Sequence, residues 1–188
     1  MPHSSPPATP RRTLVLGGAR SGKSAFAENL AAEAGGSVRY LATAVPDPDD
    51  LDFAARIAGH RSRRPAHWSL VESTDPAQVL AAAAAQPGQP PVTLIDDIGT
   101  WLTARIDACG AWDAPRGTLS PDTDALVAAV AAYPGTLVIV TPEVGMGVIP
   151  ATRSGRLFRD EIGLLNQRLA QVCDEVFFVI AGLPQRLR

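Results

Sequence analysis

Short apolar, β-branched runs alternate along this chain with stretches whose apolar positions recur every three or four residues. The runs predict strands over Thr13–Leu16, Val38–Ala42, Trp68–Val71, Val92–Ile95, Leu137–Thr141 and Val176–Ile180. The longer periodic stretches predict helices over Lys23–Ala34, Leu51–Arg63, Pro76–Ala85, Ile98–Ala108, Asp122–Ala132 and Phe158–Val172. Strands separated by helices imply crossover connections, and so an α/β fold whose mostly parallel sheet carries helices on both faces. In such a sheet, ligands bind beyond the carboxyl ends of the strands.

The pattern breaks in three places. Residues 1–12 are rich in Pro and Ser with no apolar centre, which predicts a disordered tail before a single domain over 13–188. Pro46 to Asp50 forms an acidic, proline-interrupted connection. Cys109 to Pro121 is too broken by Gly and Pro for regular structure, and a connection of that length in a compact domain is usually functional or mobile. Trp112 within it either caps a ligand, packs on a neighbouring subunit or anchors the core.

Composition narrows the function classes. The 188 residues are 46% hydrophobic, enough chain for one full core. A net charge of −2 and a pI near 5.9 argue against bulk attraction to nucleic acid or an anionic membrane. No apolar run is long enough to span a bilayer; the Ala81–Ala85 run is far too short. The two cysteines, Cys109 and Cys173, have no metal or redox spacing, and a reduced, cytoplasmic setting suits them better than a disulfide framework.

Lys23 is the only lysine, the other sixteen basic residues being arginine. It lies in Gly17-Gly18-Ala19-Arg20-Ser21-Gly22-Lys23-Ser24, after an expected strand and opening an expected helix. That is the pattern of a phosphate-binding P-loop. Its backbone amides cradle phosphates, its lysine reaches the β/γ-phosphates and its hydroxyl holds Mg²⁺. A compact ammonium on a flexible stem suits so tight a loop better than a planar guanidinium. Asp96 ends the fourth expected strand, where an acidic residue orients Mg²⁺ beside Ser24. Asp97 is placed to cap the next helix. Asp96-Asp97-Ile98-Gly99 also reads as Asp-x-x-Gly, but a GTPase switch needs a guanine-reading lysine that this chain lacks.

Other candidates are weaker. Arg56 and His60 share a helical face, continued by Arg63 or Arg64, with Pro65 ending the helix. Positive neighbours favour a neutral, nucleophilic imidazole; a solvated basic face with an incidental histidine is the plainer alternative. Glu72 closes the third strand, either hydrogen-bonding a ribose or base or simply exposed. Glu143-Val144-Gly145-Met146-Gly147 follows the fifth strand, its glycines permitting close backbone approach. Arg153, Arg156 and Arg159 recur every three residues, either as phosphate clamps or, for Arg159 with Asp160, within a surface ion-pair network.

Taken in order, GGARSGKS, ARIAGHRSRRPAHW, EVGMGVIP and FRDEIGLLNQRLA resemble the bifunctional adenosylcobinamide kinase/adenosylcobinamide-phosphate guanylyltransferases of cobalamin biosynthesis, from Thr13 to the C-terminus. The resemblance implies a RecA-like, P-loop NTPase-type core, a homotrimer, and two reactions with ATP or GTP and Mg²⁺. In one, the aminopropanol hydroxyl of adenosylcobinamide is phosphorylated. In the other, GMP passes from GTP to a histidine and then to the phosphorylated corrinoid. The family's histidine maps onto His60. With it come Lys23 and Asp96 as catalytic residues, Ser24 and Asp96 as metal ligands, and nucleotide contacts from the P-loop, Thr43, Ala44, Val45, Arg61, Ser62, Arg63, Arg64 and Glu72. The chain departs from the family pattern at Pro142, where asparagine is frequent, and at Asp97, where cysteine is common. Its link from Thr43 to Arg56 is longer, and the segment from Gly110 to Pro121 has no clear counterpart. Two rival expectations are a P-loop kinase of another small alcohol without nucleotidyl transfer, and a switch-type protein whose nucleotide state governs binding of another macromolecule.

Overall fold

The computed structural model describes residues 10–44, 65–73 and 75–188. In chain order the elements are β1 Arg12–Gly17, α1 Lys23–Glu33, β2 Val38–Ala42, β3 Ser69–Glu72, α2 Pro76–Ala84, β4 Val92–Asp96 and α3 Ile98–Ala108. There follow α4 Ser120–Ala132, β5 Leu137–Pro142, α5 Arg153–Val172, β6 Glu175–Ile180 and β7 Leu183–Arg186. The helix expected over Leu51–Arg63 lies outside the described residues.

The strands form one sheet in the order β3-β2-β4-β5-β1-β6-β7. All pairings are parallel except the last, where β7 turns back on β6. Alternation along each strand divides the core. Leu14, Leu41, Ile95 and Ile139 face a large cluster built with α2, α3, α4 and α5. Val15, Tyr40, Leu94 and Val140 face the other side, packed by Ala27 and Ala31 of α1. Helices therefore cover both faces, as the alternating pattern predicted. Among the described residues no helix is long and apolar enough to cross a membrane.

Three boundaries differ from expectation for physical reasons. Arg12 belongs to β1 rather than to a tail. It donates to both carboxylate oxygens of Asp174 and, through Nη1, to Ala131 O at 2.8 Å, fastening the start of the sheet. α5 starts five residues before Phe158, because Thr152 caps it by accepting from Gly155 N at 3.1 Å. β7 escaped the pattern because Leu183-Pro184-Gln185-Arg186 is exposed throughout and short. Its turn is made by Ala181 and Gly182, both at positive φ.

α5 is keyed to the sheet by one buried amide. Asn166 Oδ1 accepts from Thr141 Oγ1 at 2.6 Å, and its Nδ2 donates to Pro142 O at 3.0 Å. Both contacts sit at the carboxyl end of β5. Asn166→Leu strands the Thr141 hydroxyl in the core, so urea denaturation should show about 1–3 kcal/mol less stability.

Candidate functional site

The site starts where β1 gives way to α1. Gly22 is the N-cap of α1 at φ 94 and provides no side chain to cap it. The first-turn amides of α1 therefore keep their donors for a ligand at the helix N-terminus. That φ is accessible to glycine at little cost, whereas a Cβ there would also come within 3.0 Å of Gly182 Cα. The β6–β7 turn backs the loop from below, with Gly182 N donating to Ser21 O at 2.8 Å. The Ser21 hydroxyl is buried with no hydrogen-bond partner among the described residues. Lys23 Nζ donates to Gly18 O at 3.2 Å, folding the ammonium back over its own loop.

The acidic partner is supplied from β4. Ser24 Oγ donates to Asp96 Oδ1 at 3.3 Å, and Tyr40 Oη, from β2, donates to Asp96 Oδ2 at 2.5 Å. A hydroxyl and a carboxylate oxygen this close, beside a phosphate cradle, suit a hard divalent cation that takes its other ligands from phosphates and water. Asp97 is the N-cap of α3, its Oδ1 accepting from Thr100 N at 2.8 Å. Burial, and secondarily the adjacent Asp96 charge, push the Asp97 carboxyl above its ordinary value, with the Thr100 amide and the Lys23 ammonium pulling the other way.

Several sequence candidates hold other positions. Thr43 is only 1% exposed. Its hydroxyl donates to Asp97 O at 2.6 Å and lies 2.7 Å from Thr100 Oγ1, so it fixes the β4–α3 turn instead of facing a nucleotide. Ala44 is half-buried just beyond it. Glu72 is exposed at the end of edge strand β3. β3 is four strand spacings from β1, roughly 19 Å across the sheet. His60, Val45, Arg61, Ser62, Arg63 and Arg64 lie outside the described residues.

The three regularly spaced arginines donate to protein carbonyls rather than forming an open anion clamp. Arg153 Nη2 donates to Asp113 O and Ala114 O, Arg156 Nη1 to Pro150 O and Ala151 O, and Arg159 Nη2 to Gly145 O. They shape the segment after β5. That segment starts at the cradle itself, where Glu143 N donates to Gly17 O at 3.1 Å. The Glu143 carboxylate accepts from Gly145 N, closing the turn. Pro142 fits because its ring lies against Gly99, where a Cβ would come within 2.6 Å of Pro142 Cγ.

The connection after α3 is more ordered than its Gly and Pro content suggested. Trp112 Nε1 donates to Asp107 Oδ1 at 2.6 Å, Gly117 N to Glu161 Oε1 at 2.8 Å, and Arg116 pairs with Asp160. Trp112 is half-buried against the main core. Its core anchoring is thus visible, and its outer surface lines a cavity with Phe158. Sequence reasoning passed over Tyr40, whose ordinary strand context hides its reach to Asp96. What brings it there is its register opposite Leu94, two residues before Asp96, which only the folded sheet reveals.

Comparison with solved structures bears on the fold alone. A type III secretion system ATPase of pathogenic bacteria superposes with a TM-score of 0.58 at 12% identity, over 94% of this chain and 56% of that one. The assembled ATPase EscN of enteropathogenic E. coli gives 0.56 at 12% identity, over 92% of this chain and 43% of that one. The sheet and cradle are thus those of a P-loop NTPase-type fold. Sequence relatives reach further. A Pseudomonas aeruginosa protein named bifunctional adenosylcobalamin biosynthesis protein CobP is 41% identical over 177 residues, 94% of this chain and 97% of that protein. The bifunctional adenosylcobalamin biosynthesis protein CobU of Salmonella typhimurium is 39% identical over 93% of this chain and 98% of its own length. A model of the CobU family, described as cobinamide kinase / cobinamide phosphate guanyltransferase, matches residues 13–187. With that match spanning every described strand and helix but the first residue of β1, the chain belongs to the CobU family.

Proposed function

We propose that this protein phosphorylates adenosylcobinamide with ATP or GTP and then transfers GMP from GTP to the product, giving adenosylcobinamide-GDP. The observation that supports the reading best is the match of residues 13–187 to a bifunctional family in a chain that keeps the cradle, Lys23, Ser24 and Asp96 in mutual reach. In the first reaction the aminopropanol hydroxyl oxygen attacks the γ-phosphorus. The bond to the bridging oxygen breaks, the hydroxyl proton passes to solvent and the nucleoside diphosphate leaves. Ser24 and Asp96 are the residues that would hold Mg²⁺, which would neutralise charge on the phosphates. Lys23 and the α1 amides stabilise the charge that develops on the phosphoryl oxygens.

In the second reaction a neutral His60 nitrogen attacks the α-phosphorus of GTP, forming a P–N bond and releasing pyrophosphate. A phosphate oxygen of the phosphorylated corrinoid then displaces the imidazole, which leaves readily once protonated. This histidine–GMP step and the homotrimer rest on the family resemblance, and the cytoplasmic location on the cysteine pattern. Arg61, Ser62, Arg63 and Arg64 are proposed to contact the GTP.

The test uses GTP labelled at the α-phosphorus with Mg²⁺. The protein should acquire acid-labile, alkali-stable label, lose it on addition of cobinamide phosphate, and fail to acquire it as His60→Ala while still phosphorylating cobinamide. Wild-type protein that binds GTP yet takes up no label would leave a kinase without nucleotidyl transfer.

A further inference from the structure

A cavity of about 680 Å³ lies between the Cys109–Leu119 connection and the start of α5, walled by Trp112, Asp113, Arg153 and Phe158. Its place in the fold follows from α5. Asn166 meets the carboxyl end of β5, and α5 runs back from there to β6. Phe158 and Arg153 therefore stand roughly 12 and 20 Å beyond that edge, at 1.5 Å per residue. This is the side on which Gly17–Ser24 forms the phosphate cradle.

The segment from Glu143 to Ala151 connects the two places. It leaves the cradle at the Glu143–Gly17 hydrogen bond and is held in shape by Arg156 and Arg159. Between those anchors it exposes Met146 (79%), Val148 (95%) and Ile149 (68%). An apolar ledge kept by charged side chains and leading from a reactive centre to an aromatic cavity is the mark of a ligand surface.

We propose that the ledge and the Trp112–Phe158 cavity hold the corrin macrocycle of the acceptor substrate, with its hydroxyl-bearing arm extended back to Lys23. The proposal rests on the corrinoid reading given above and assigns it a place. The chemistry matches on three counts. A macrocycle with apolar faces suits the exposed Met146, Val148 and Ile149 and the two aromatic rings. Its uncharged amide rim suits Arg153 and Asp113, which face each other at 3.4 Å and so offer hydrogen bonds with little net charge. That same pairing disfavours a second nucleotide there, since phosphates seek an unneutralised cation. A cavity of this volume is in the usual range of roughly 300–1,000 Å³ for small-molecule sites, and the Glu143–Ala151 segment, which runs in the chain directly into Thr152 of its lining, offers further apolar surface to a ligand larger than a nucleotide.

Equilibrium dialysis of the whole protein against cobinamide, read by its visible absorbance with and without a non-hydrolysable GTP analogue, tests this. Trp112→Ala and Val148→Ser should each weaken cobinamide binding about tenfold or more, with affinity for the GTP analogue unchanged. Val148 is almost fully exposed, so its variant remains informative even if Trp112→Ala disturbs folding. Wild-type binding left intact by both substitutions overturns the placement while keeping the corrinoid reading. Absence of any wild-type binding overturns both. A fall in sedimentation mass of either variant at unchanged cobinamide affinity would assign the ledge to a second copy of the chain instead.

Discussion

Lys23→Ala should lower the turnover number for cobinamide phosphorylation by about 10²–10³-fold, the usual cost of deleting one group that stabilises transition-state charge. The ammonium is half-buried and donates to a carbonyl of its own loop, Gly18 O. Phosphate oxygens at the α1 N-terminus would be the stronger acceptors for it. Because Lys23 joins no two elements of the fold, the melting temperature should move little. Lys23→Arg should recover little of the rate despite keeping the charge, since a wide planar fork replaces a compact point charge in a tight loop. An amine-reactive nucleotide analogue gives an independent check, for Lys23 is the single lysine and only the N-terminal amine competes. A Lys23→Ala enzyme working within tenfold of the wild type would mean that the transferred phosphoryl group sits elsewhere.

Parts of this site were legible because they are local. The cradle occupies eight consecutive residues, and glycine at 22 announces the positive φ that the strand-to-helix turn requires. Asp96 could be read because an apolar run of four residues ends at it, and Asp97 because a helical period starts after it. What the sequence hid is what only the sheet order creates. β2 and β4 are neighbours although far apart in the chain, so Tyr40 reaches Asp96 across 56 residues. Thr43 turns inward for the same reason, because Asp97 and Thr100 offer polar partners at a position where the resemblance implied a nucleotide contact. Spacing could not choose between the two readings of the arginine triplet, because it reports a shared face and not the partners: Arg156 and Arg159 bond backbone carbonyls of a returning segment, while Arg153 pairs with Asp113. The periodicity of α5 began late for a simpler reason: Arg153-Ser154-Gly155-Arg156 carries no apolar side chain, its arginines bonding backbone carbonyls instead.

Asp96→Asn should separate the metal from the rest of the machinery. The substitution keeps the shape of the side chain and, with its oxygen toward Ser24, leaves an acceptor for that hydroxyl, so the 3.3 Å contact can persist. It removes the charge that would bind a divalent cation. The Mg²⁺ concentration giving half-maximal rate should rise about 10–100-fold, while affinity for nucleotide measured without Mg²⁺ stays near that of the wild type or improves as a negative charge leaves the cradle. Tyr40→Phe provides the contrast. It deletes the donor that fixes Asp96 Oδ2 at 2.5 Å but keeps the carboxylate charge, so it should loosen metal binding far less than Asp96→Asn. Asp97 adds a second readout. Its carboxyl is raised first by burial and next by the Asp96 charge, so loss of that charge must shift it back toward its ordinary value, whereas Tyr40→Phe leaves the Asp96 charge beside it. Carboxyl titration followed by NMR distinguishes the two variants without any turnover. If Asp96→Asn slowed the enzyme at unchanged Mg²⁺ requirement, Asp96 would be a positioning residue for Ser24 rather than a metal ligand. The cation would then have to be held by phosphates and Ser24 alone.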